Sequence, residues 1–257
     1  MVKRILKILL LLLLVLVCFA GIYLYTVSHS NPHNYSHIGD IPAPAGFQRI
    51  DNGGFTSFLR NIKLKGAGTK VQLYTGGNAN LQQLNYAVLD VPLISNWEQC
   101  ADACIRLHAE YLYKSKQFAQ IGYKDVNGRQ MNYSGGNSRK SFETYLKKVY
   151  GMASTLSLSK YLSQVNTMDI MPGDIFVYPA RGKAKYGHAV LVVDVAVNKS
   201  TGRRAFMLAE GNTPARDLHL LRNLKHPFSA PWFTVDGTES SFRLGPFLYF
   251  PNEIRRF

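Results

Sequence analysis

The sequence predicts an α+β fold in which one amphipathic helix packs on an antiparallel sheet. The helix prediction rests on SNWEQCADACIRLHAEYLYKSK, which has a capping sequence at its start and apolar residues at helical spacing. The sheet prediction rests on three β-rich runs in succession, separated by short polar segments: MPGDIFVYP, GHAVLVVDVAV and RAFMLAEG. Strands with short connections pair as an antiparallel meander. The 257 residues suffice for one domain with a sizeable core.

The first element is a predicted signal anchor or signal peptide over residues 1–27. MVKRILK carries three cations and precedes a nearly unbroken apolar run from Ile8 to Tyr25. Cleavable signals have small residues before the cut, and Cys18-Phe19-Ala20 fits that poorly, so an uncleaved anchor is favoured. Because the cations stay on the cytoplasmic side, we expect the rest of the chain in the cell envelope, on the periplasmic or extracytoplasmic face of the cytoplasmic membrane.

The charge balance favours an anionic partner. There are 30 Lys and Arg residues against 16 Asp and Glu residues, which gives a net charge of +14. Outside the cytoplasm nucleic acid is not an expected partner. The predicted partners are therefore a cell-wall peptide or an anionic envelope polymer, together with the membrane that holds the N-terminal segment; the sequence leaves the oligomeric state open.

Residues 28–46 are a predicted linker, because the segment is rich in Pro, Gly and polar side chains. His29, His33 and His37 lie four residues apart, a spacing that would suit a metal ion on a helix. Pro32 argues against a helix there, so no metal site is expected.

A single domain is predicted for residues 47–257. Its middle contains a long polar and Gly-rich insertion around residues 114–141, and a second helix is expected from Phe142 to Val149.

The predicted main helix has two different faces. Ser95 and Glu98 have the spacing of a capping box, which places Cys100 in the first two turns. One face is expected in solvent and carries a charge ladder formed by Asp102, Arg106 and Glu110. The other face is expected to be buried or to line a cleft, and it carries Cys100, Cys104, Leu107 and Tyr111.

His188 begins an otherwise apolar strand, and its surroundings in the sequence suggest chemistry. A thiol becomes a good nucleophile beside an imidazole and at a helix N-terminus, and Cys100 has such a helix. The imidazole needs an acceptor on its other nitrogen. Glu210 and Asn212 end the next strand two residues apart, so both can face the ring.

These residues resemble the NlpC/P60 and CHAP superfamily of papain-like amidases and peptidases. The resemblance lies in Gln99-Cys100, in GHAV from Gly187, and in the E-x-N pair of Glu210 and Asn212. It implies a papain-like fold with Cys100 as nucleophile, His188 as base, and Glu210 with Asn212 as orienting groups. Gln99 would support the oxyanion. No cofactor is implied.

A second resemblance covers more of the chain, from about residue 46 to 233. The runs FTSFLRNIKLK, VQLYTGG, GDIFVYP, GHAVLVVD and LAEGNTPARDLHLLRN resemble an uncharacterised bacterial envelope family, domain of unknown function 4846. This family has no established activity, so the resemblance adds no chemistry.

Other interpretations concern the remaining Cys, His and Trp residues. Cys100, Cys104 and His108 at four-residue spacing could bind zinc, with His188 or Glu210 as fourth ligand, but the ligand face of a straight helix drifts. Trp232 is a candidate wall of the substrate cleft, with a core position as the alternative. His219 and His226 are expected at the surface, among basic residues.

The sequence thus predicts a membrane-anchored extracytoplasmic cysteine hydrolase, an amidase or peptidase, with peptidoglycan peptides as the candidate substrate. The alternative is a non-catalytic envelope-binding module that retains the papain-like fold.

Overall fold

A nine-stranded antiparallel sheet organises the computed structural model, which describes residues 2–182, 185–226 and 231–257. Strands are numbered in chain order. The main path runs through β2 (Asn85–Val88), β9 (His219–Leu221), β8 (Arg204–Glu210), β7 (His188–Val197), β6 (Ile175–Tyr178), β13 (Ile254–Arg256) and β5 (Ser163–Gln164). Two further strands pair with its centre, β1 (Gln48–Arg49) with β7 and β10 (Phe233–Val235) with β8. The predicted antiparallel arrangement of the three β-rich runs is confirmed, since β6, β7 and β8 are neighbours.

The central strand β7 is buried on both faces, which explains its β-branched apolar composition. Alternate side chains enter different cores: Ala189 and Leu191 join the first core, and Val190 and Val192 join the second. The register against β8 shifts between Val192 and Asp194, which makes a β-bulge. After the bulge the alternation is inverted, and Asp194 lies on the side of the first core.

The buried Asp194 carboxylate is paired on that side. Arg49 Nε lies 2.6 Å from Oδ2, and Arg60 Nη2 lies 2.7 Å from Oδ1. Arg49 comes from β1 and Arg60 from the end of α2 (Gly54–Arg60). A fully buried carboxylate is stable only with such partners, so the bulge and the two arginines form one structural unit.

The main helix is α3 (Cys100–Lys114), and it begins later than the capping prediction implies. Ser95 and Glu98 close a turn before the helix, where the Glu98 backbone N–H donates to the Ser95 carbonyl oxygen at 3.1 Å. The N-cap is Gln99, whose backbone N–H donates to Asp102 Oδ2 at 3.0 Å. Cys100 is therefore the first helical residue.

The expected solvated face of α3 is buried. Arg106 is only 4% exposed and contacts Glu110 Oε1 at 2.7 Å and Glu98 Oε2 at 3.2 Å. Arg139, the first residue of α4 (Arg139–Tyr150), reaches Glu110 at 2.8 Å. The ladder prediction is wrong because other parts of the chain cover this face, and a charge pattern within one helix does not reveal what packs on it.

The segment predicted as a polar insertion contains a hairpin of β3 (Gly122–Lys124) and β4 (Gln130–Asn132). Tyr123 and Met131 from this hairpin are buried in the first core. The second predicted helix is confirmed by α4, and α5 (Thr155–Tyr161) follows it.

A second hairpin, β11 (Phe242–Leu244) with β12 (Phe247–Tyr249), packs on the second core.

The N-terminal helix α1 (Val2–Ser28) is long and apolar enough to cross a membrane, with a candidate span of Arg4–Tyr25 and a mean hydropathy of 3.1. A signal sequence would satisfy the same criterion. The predicted linker after it is packed on the domain, since Asn31, Ile38 and Ile41 are buried. Low hydrophobicity in the segment concealed these few anchoring residues.

Candidate functional site

Two neighbouring strands bring an imidazole and a carboxylate together. His188 begins β7 and Glu210 ends the antiparallel strand β8, so both lie at the same end of the sheet. His188 Nε2 is 3.1 Å from Glu210 Oε2, and the side chains are 3% and 4% exposed. By strand alternation both residues point to the side of the second core.

Cys100 approaches the same imidazole from the N-terminus of α3. Its side chain forms a hydrogen bond with His188, and since Nε2 of the ring contacts Glu210, the nitrogen left for the sulfur is Nδ1. The helix N-terminus favours negative charge on this sulfur. The structure thus brings together the predicted nucleophile, base and carboxylate.

Two glycines permit this close approach. A Cβ at Gly187 would overlap the Tyr178 carbonyl oxygen and the Thr155 hydroxyl. A Cβ at Gly211 would lie 3.0 Å from Ala103 Cβ and 3.2 Å from the Gln99 carbonyl oxygen. The glycine before His188 and the glycine after Glu210 therefore let the strand ends pack against α5 and α3.

The protonation of the pair follows from its surroundings. Burial by itself would lower the pKa of His188, but hydrogen bonds to Cys100 and Glu210 outweigh burial and raise that pKa to about 9. Burial would raise the pKa of Glu210, but its hydrogen bonds to His188 and His219 hold that pKa below the ordinary value. At neutral pH the site therefore holds an imidazolium between a carboxylate and the Cys100 sulfur.

Cys100 lines a cleft of about 260 Å³ and is itself 7% exposed. Trp97 and Tyr186 line the same cleft and are 64% and 60% exposed. Sequence reasoning did not select these two aromatic residues, although each lies within three positions of Cys100 or His188. Their exposure makes them candidate contacts for a substrate.

The remaining predicted site residues have different positions. Gln99 lines the cleft, and its Oε1 accepts a hydrogen bond from the Thr213 hydroxyl at 2.9 Å. Asn212 Nδ2 donates to Glu210 Oε1 at 3.3 Å, so it contacts the carboxylate and not the imidazole. Trp232 lies in the first core, is 2% exposed and donates from Nε1 to the Pro42 carbonyl oxygen at 2.8 Å. The structure places Trp232 in the core and does not place it in the cleft.

Two residues at the site were not predicted. Phe247 stacks on the His188 ring, with centroids 3.6 Å apart and planes 19° from parallel. His219 was expected at the surface but is 4% exposed, and its Nε2 lies 3.3 Å from Glu210 Oε1. The basic residues around His219 in the sequence pointed to the surface, whereas the pairing of β9 with β8 sets it directly opposite Glu210.

The zinc arrangement on α3 does not form. Cys104 Sγ donates to the Cys100 carbonyl oxygen at 3.4 Å, and burial raises the pKa of the Cys104 thiol well above its usual value. His108 contacts the Tyr123 hydroxyl at 2.9 Å and stacks on Phe257. Across the described ranges, no three His, Cys, Asp or Glu side chains are grouped to hold a metal ion.

Comparison with known proteins gives one match. Residues 39–136 and 134–256 match the family described as Domain of unknown function (4846). The matched segments include all the residues of the site. No curated protein and no solved structure matches the chain.

Proposed function

We propose that this chain, which belongs to the domain of unknown function 4846 family, is a cysteine hydrolase of amide bonds. The supporting observation is the continuous contact from Cys100 through His188 to Glu210, at a helix N-terminus and beside a cleft. Nucleophile, base and orienting group in hydrogen-bond reach are the requirements of thiol catalysis.

Acylation would begin with attack of the Cys100 sulfur on the amide carbonyl carbon, which forms a C–S bond and moves an electron pair onto oxygen. The Cys100 backbone N–H has no carbonyl acceptor within α3, because it is the first helical residue, and it can donate to this oxyanion. The Gln99 side chain at the cleft can support it. As the C–N bond breaks, His188 gives its proton to the departing amine, and a thioester remains.

Deacylation would use the now neutral His188 as a base. A water molecule transfers a proton to the ring while its oxygen attacks the thioester carbonyl carbon. Collapse breaks the C–S bond and releases a carboxylic acid. The Cys100 thiolate and the His188 imidazolium are regenerated, with Glu210 holding the ring throughout.

The fold that suits this chemistry is papain-like, as in NlpC/P60 and CHAP enzymes. The supporting arrangement is the order of elements: a helix beginning at Cys100, then a strand beginning with His188, then an adjacent strand ending at Glu210. This order of elements supports the proposed papain-like fold. The proposed hydrolase function is supported by the geometry of the site.

The proposed substrate is the peptide part of peptidoglycan, in a protein held in the cytoplasmic membrane by α1 with its domain outside. The supporting observations are the exposed apolar helix and the net charge of +14, which favours anionic envelope polymers.

Protease added to spheroplasts should degrade the domain, and full protection would contradict this location.

The direct test is digestion of purified peptidoglycan by the full chain in detergent micelles. We expect new free amino groups with the unsubstituted protein and with Cys104→Ala, and none with Cys100→Ala. Cleavage by Cys100→Ala would rule out the thiol mechanism. If all three proteins bind the wall equally and none cleaves it, the result favours the alternative, a non-catalytic binding module. The observation on the side of this alternative is that Cys100 is only 7% exposed.

A further inference from the structure

The buried ring of His219 lies between two oxygen atoms. Its Nδ1 is 3.1 Å from the Asp217 backbone carbonyl oxygen, and its Nε2 is 3.3 Å from Glu210 Oε1. A carbonyl oxygen only accepts, so Nδ1 is the donor in the first contact. The second contact is a hydrogen bond only when Nε2 also carries a proton, because a carboxylate oxygen likewise accepts.

The Glu210 carboxylate is consequently shared between two imidazoles. Oε2 contacts His188, whereas Oε1 contacts His219 and accepts from Asn212 Nδ2 at 3.3 Å. These contacts occupy both oxygens and fix the rotation of the carboxyl group. The orientation of the His188 ring toward Cys100 depends on that rotation.

Few other charged groups face His219. The Asp217 carboxylate is engaged by Lys65 Nζ at 3.1 Å, and the strand β2 presents the apolar Val88 opposite the ring. A cavity of about 280 Å³ is lined by His219, Glu210, Arg216 and Phe247. Apart from His219 itself, Arg216 is the one cationic side chain among the described residues that line this cavity. Solvent in this cavity can exchange a proton with His219 without passing Cys100.

We propose that His219 is a positioning residue of the thiol site, which orients Glu210 and, through its charge, sets the pH range in which the Cys100–His188 pair is reactive. The inference rests on the proposed function in assigning Cys100 as nucleophile. A positive charge behind Glu210 favours the thiolate and disfavours the imidazolium, so removing it should move both ionisations of the pair to higher pH.

The test is the pH dependence of iodoacetamide alkylation at Cys100, in the full chain in detergent, with peptides resolved by mass spectrometry. His219→Gln removes the charge and keeps an amide donor. We expect the acid limb of the profile to move up by about one pH unit. His226→Gln is the matched control, because His226 is an exposed histidine seven residues away, and it should leave the profile unchanged.

A purely structural role for His219 would change the unfolding temperature and leave the midpoint of the profile where it is. A folded His219→Gln protein with an unchanged midpoint overturns the inference. In a Glu210→Gln background the additional His219→Gln substitution should have little further effect on the midpoint, because the carboxylate that couples the two rings is gone. Full additivity of the two shifts would also contradict the proposal.

If His219→Gln fails to fold, nitrogen-15 spectra of the histidine rings in the unsubstituted protein test the inference instead, because they show which ring nitrogens of His219 carry protons. Protons on both His219 nitrogens at the pH of fastest alkylation support the inference, and a bare Nε2 overturns it. The proposed function fails separately, if His188→Ala leaves the alkylation rate of Cys100 unchanged.

Discussion

Two thiols one helical turn apart have opposite environments. Cys100 contacts an imidazole at the open end of α3, while Cys104 is enclosed in the first core and its thiol pKa is raised by burial. The residue type and the helix are the same, so the difference in expected reactivity comes from position alone. This contrast provides an internal control for any chemical test of the site.

At the scale of single residues, we predict that His188→Ala slows alkylation of Cys100 by iodoacetamide at pH 7 at least about tenfold. The substitution removes the imidazolium that favours the thiolate, and His188 in the intact protein keeps its proton up to a pKa of about 9. Second-order rate constants at Cys100 and Cys104 measure the effect.

Cys104 should stay unreactive in both proteins until they unfold. If Cys100 also reacts only after unfolding, His188 is a buried structural residue.

Most of the site could be predicted from sequence because its residues stand at recognisable ends of elements. Cys100 follows a capping sequence, His188 begins an apolar run, and Glu210 precedes a turn. His219 had no such signal, because it meets Glu210, nine residues earlier in the sequence, only through the β8–β9 pairing. Trp97 and Tyr186 required knowledge of which surface forms the cleft.

At the scale of elements, α3 carries its charges inside the protein. Arg106 is held between Glu98 and Glu110, and burial raises the pKa of Glu98 to about 7 even with Arg106 beside it. Glu98 depends on that buried guanidinium for its charge, whereas Glu110 is also paired with Arg139.

We predict that Arg106→Met lowers the free energy of unfolding by about 3–5 kcal/mol, because it leaves the two buried carboxylates without their shared partner. Urea unfolding of the full chain in detergent measures this loss. Arg129→Met is the matched control, since Arg129 is 68% exposed and the Asp125 carboxylate keeps its backbone N–H donors from residues 127 and 129 when the guanidinium is removed. Equal effects of the two substitutions would show that the α3 cluster is not a structural requirement.

The elements themselves were partly predictable. Continuous β-rich apolar runs with short connections identified β6, β7 and β8, and helical spacing identified α3 and α4. The hairpin of β3 and β4 was hidden in a polar segment, because only Tyr123 and Met131 mark its buried side. Which segments cover a helix face, and which few apolar residues anchor a polar segment, depend on contacts between distant parts of the chain. The sequence pattern of one element therefore does not show them.

At the scale of the whole molecule, several buried groups lower the stability of the folded state as the pH rises. Burial raises the pKa of Asp102 from 3.8 to about 8, and the folded pKa of His188 is raised from 6.5 to about 9. The folded state therefore binds more protons than the unfolded state between about pH 4 and 9, and stability falls as pH rises there. Glu210 acts oppositely below about pH 4.5, since its folded pKa is lowered and its contribution is lost on acidification. His108 also acts oppositely between about pH 4 and 6.5, because burial lowers its folded pKa to about 4, but the raised pKa values of Asp102 and Glu98 outweigh it there.

We predict that the unfolding temperature is highest near about pH 5 and declines toward pH 9. Scanning calorimetry or circular dichroism of the full chain in detergent at pH 5, 7 and 9 measures this decline. Asp102→Asn should make the decline between pH 5 and 8 shallower, because an amide does not ionise and its oxygen can still accept from the Gln99 backbone N–H. A constant or rising unfolding temperature over that range would contradict the assigned protonation of these groups.

The extra residue in β7 has a consequence for how the chain tolerates changes in length. The bulge at Val193 allows one continuous strand to present Asp194 to two arginines on one side of the sheet and His188 to Glu210 on the other. Deleting Val193 would restore strict alternation along the strand and would leave Asp194 and His188 on their present sides. If the bulge were straightened with every residue kept, either the carboxylate would turn into the apolar core that holds Phe206, or the imidazole would turn away from its partner. This point of β7 should therefore accept the loss of one residue, whereas an insertion or a deletion in the regular part of β8 opposite it would separate the buried arginine pair from the site.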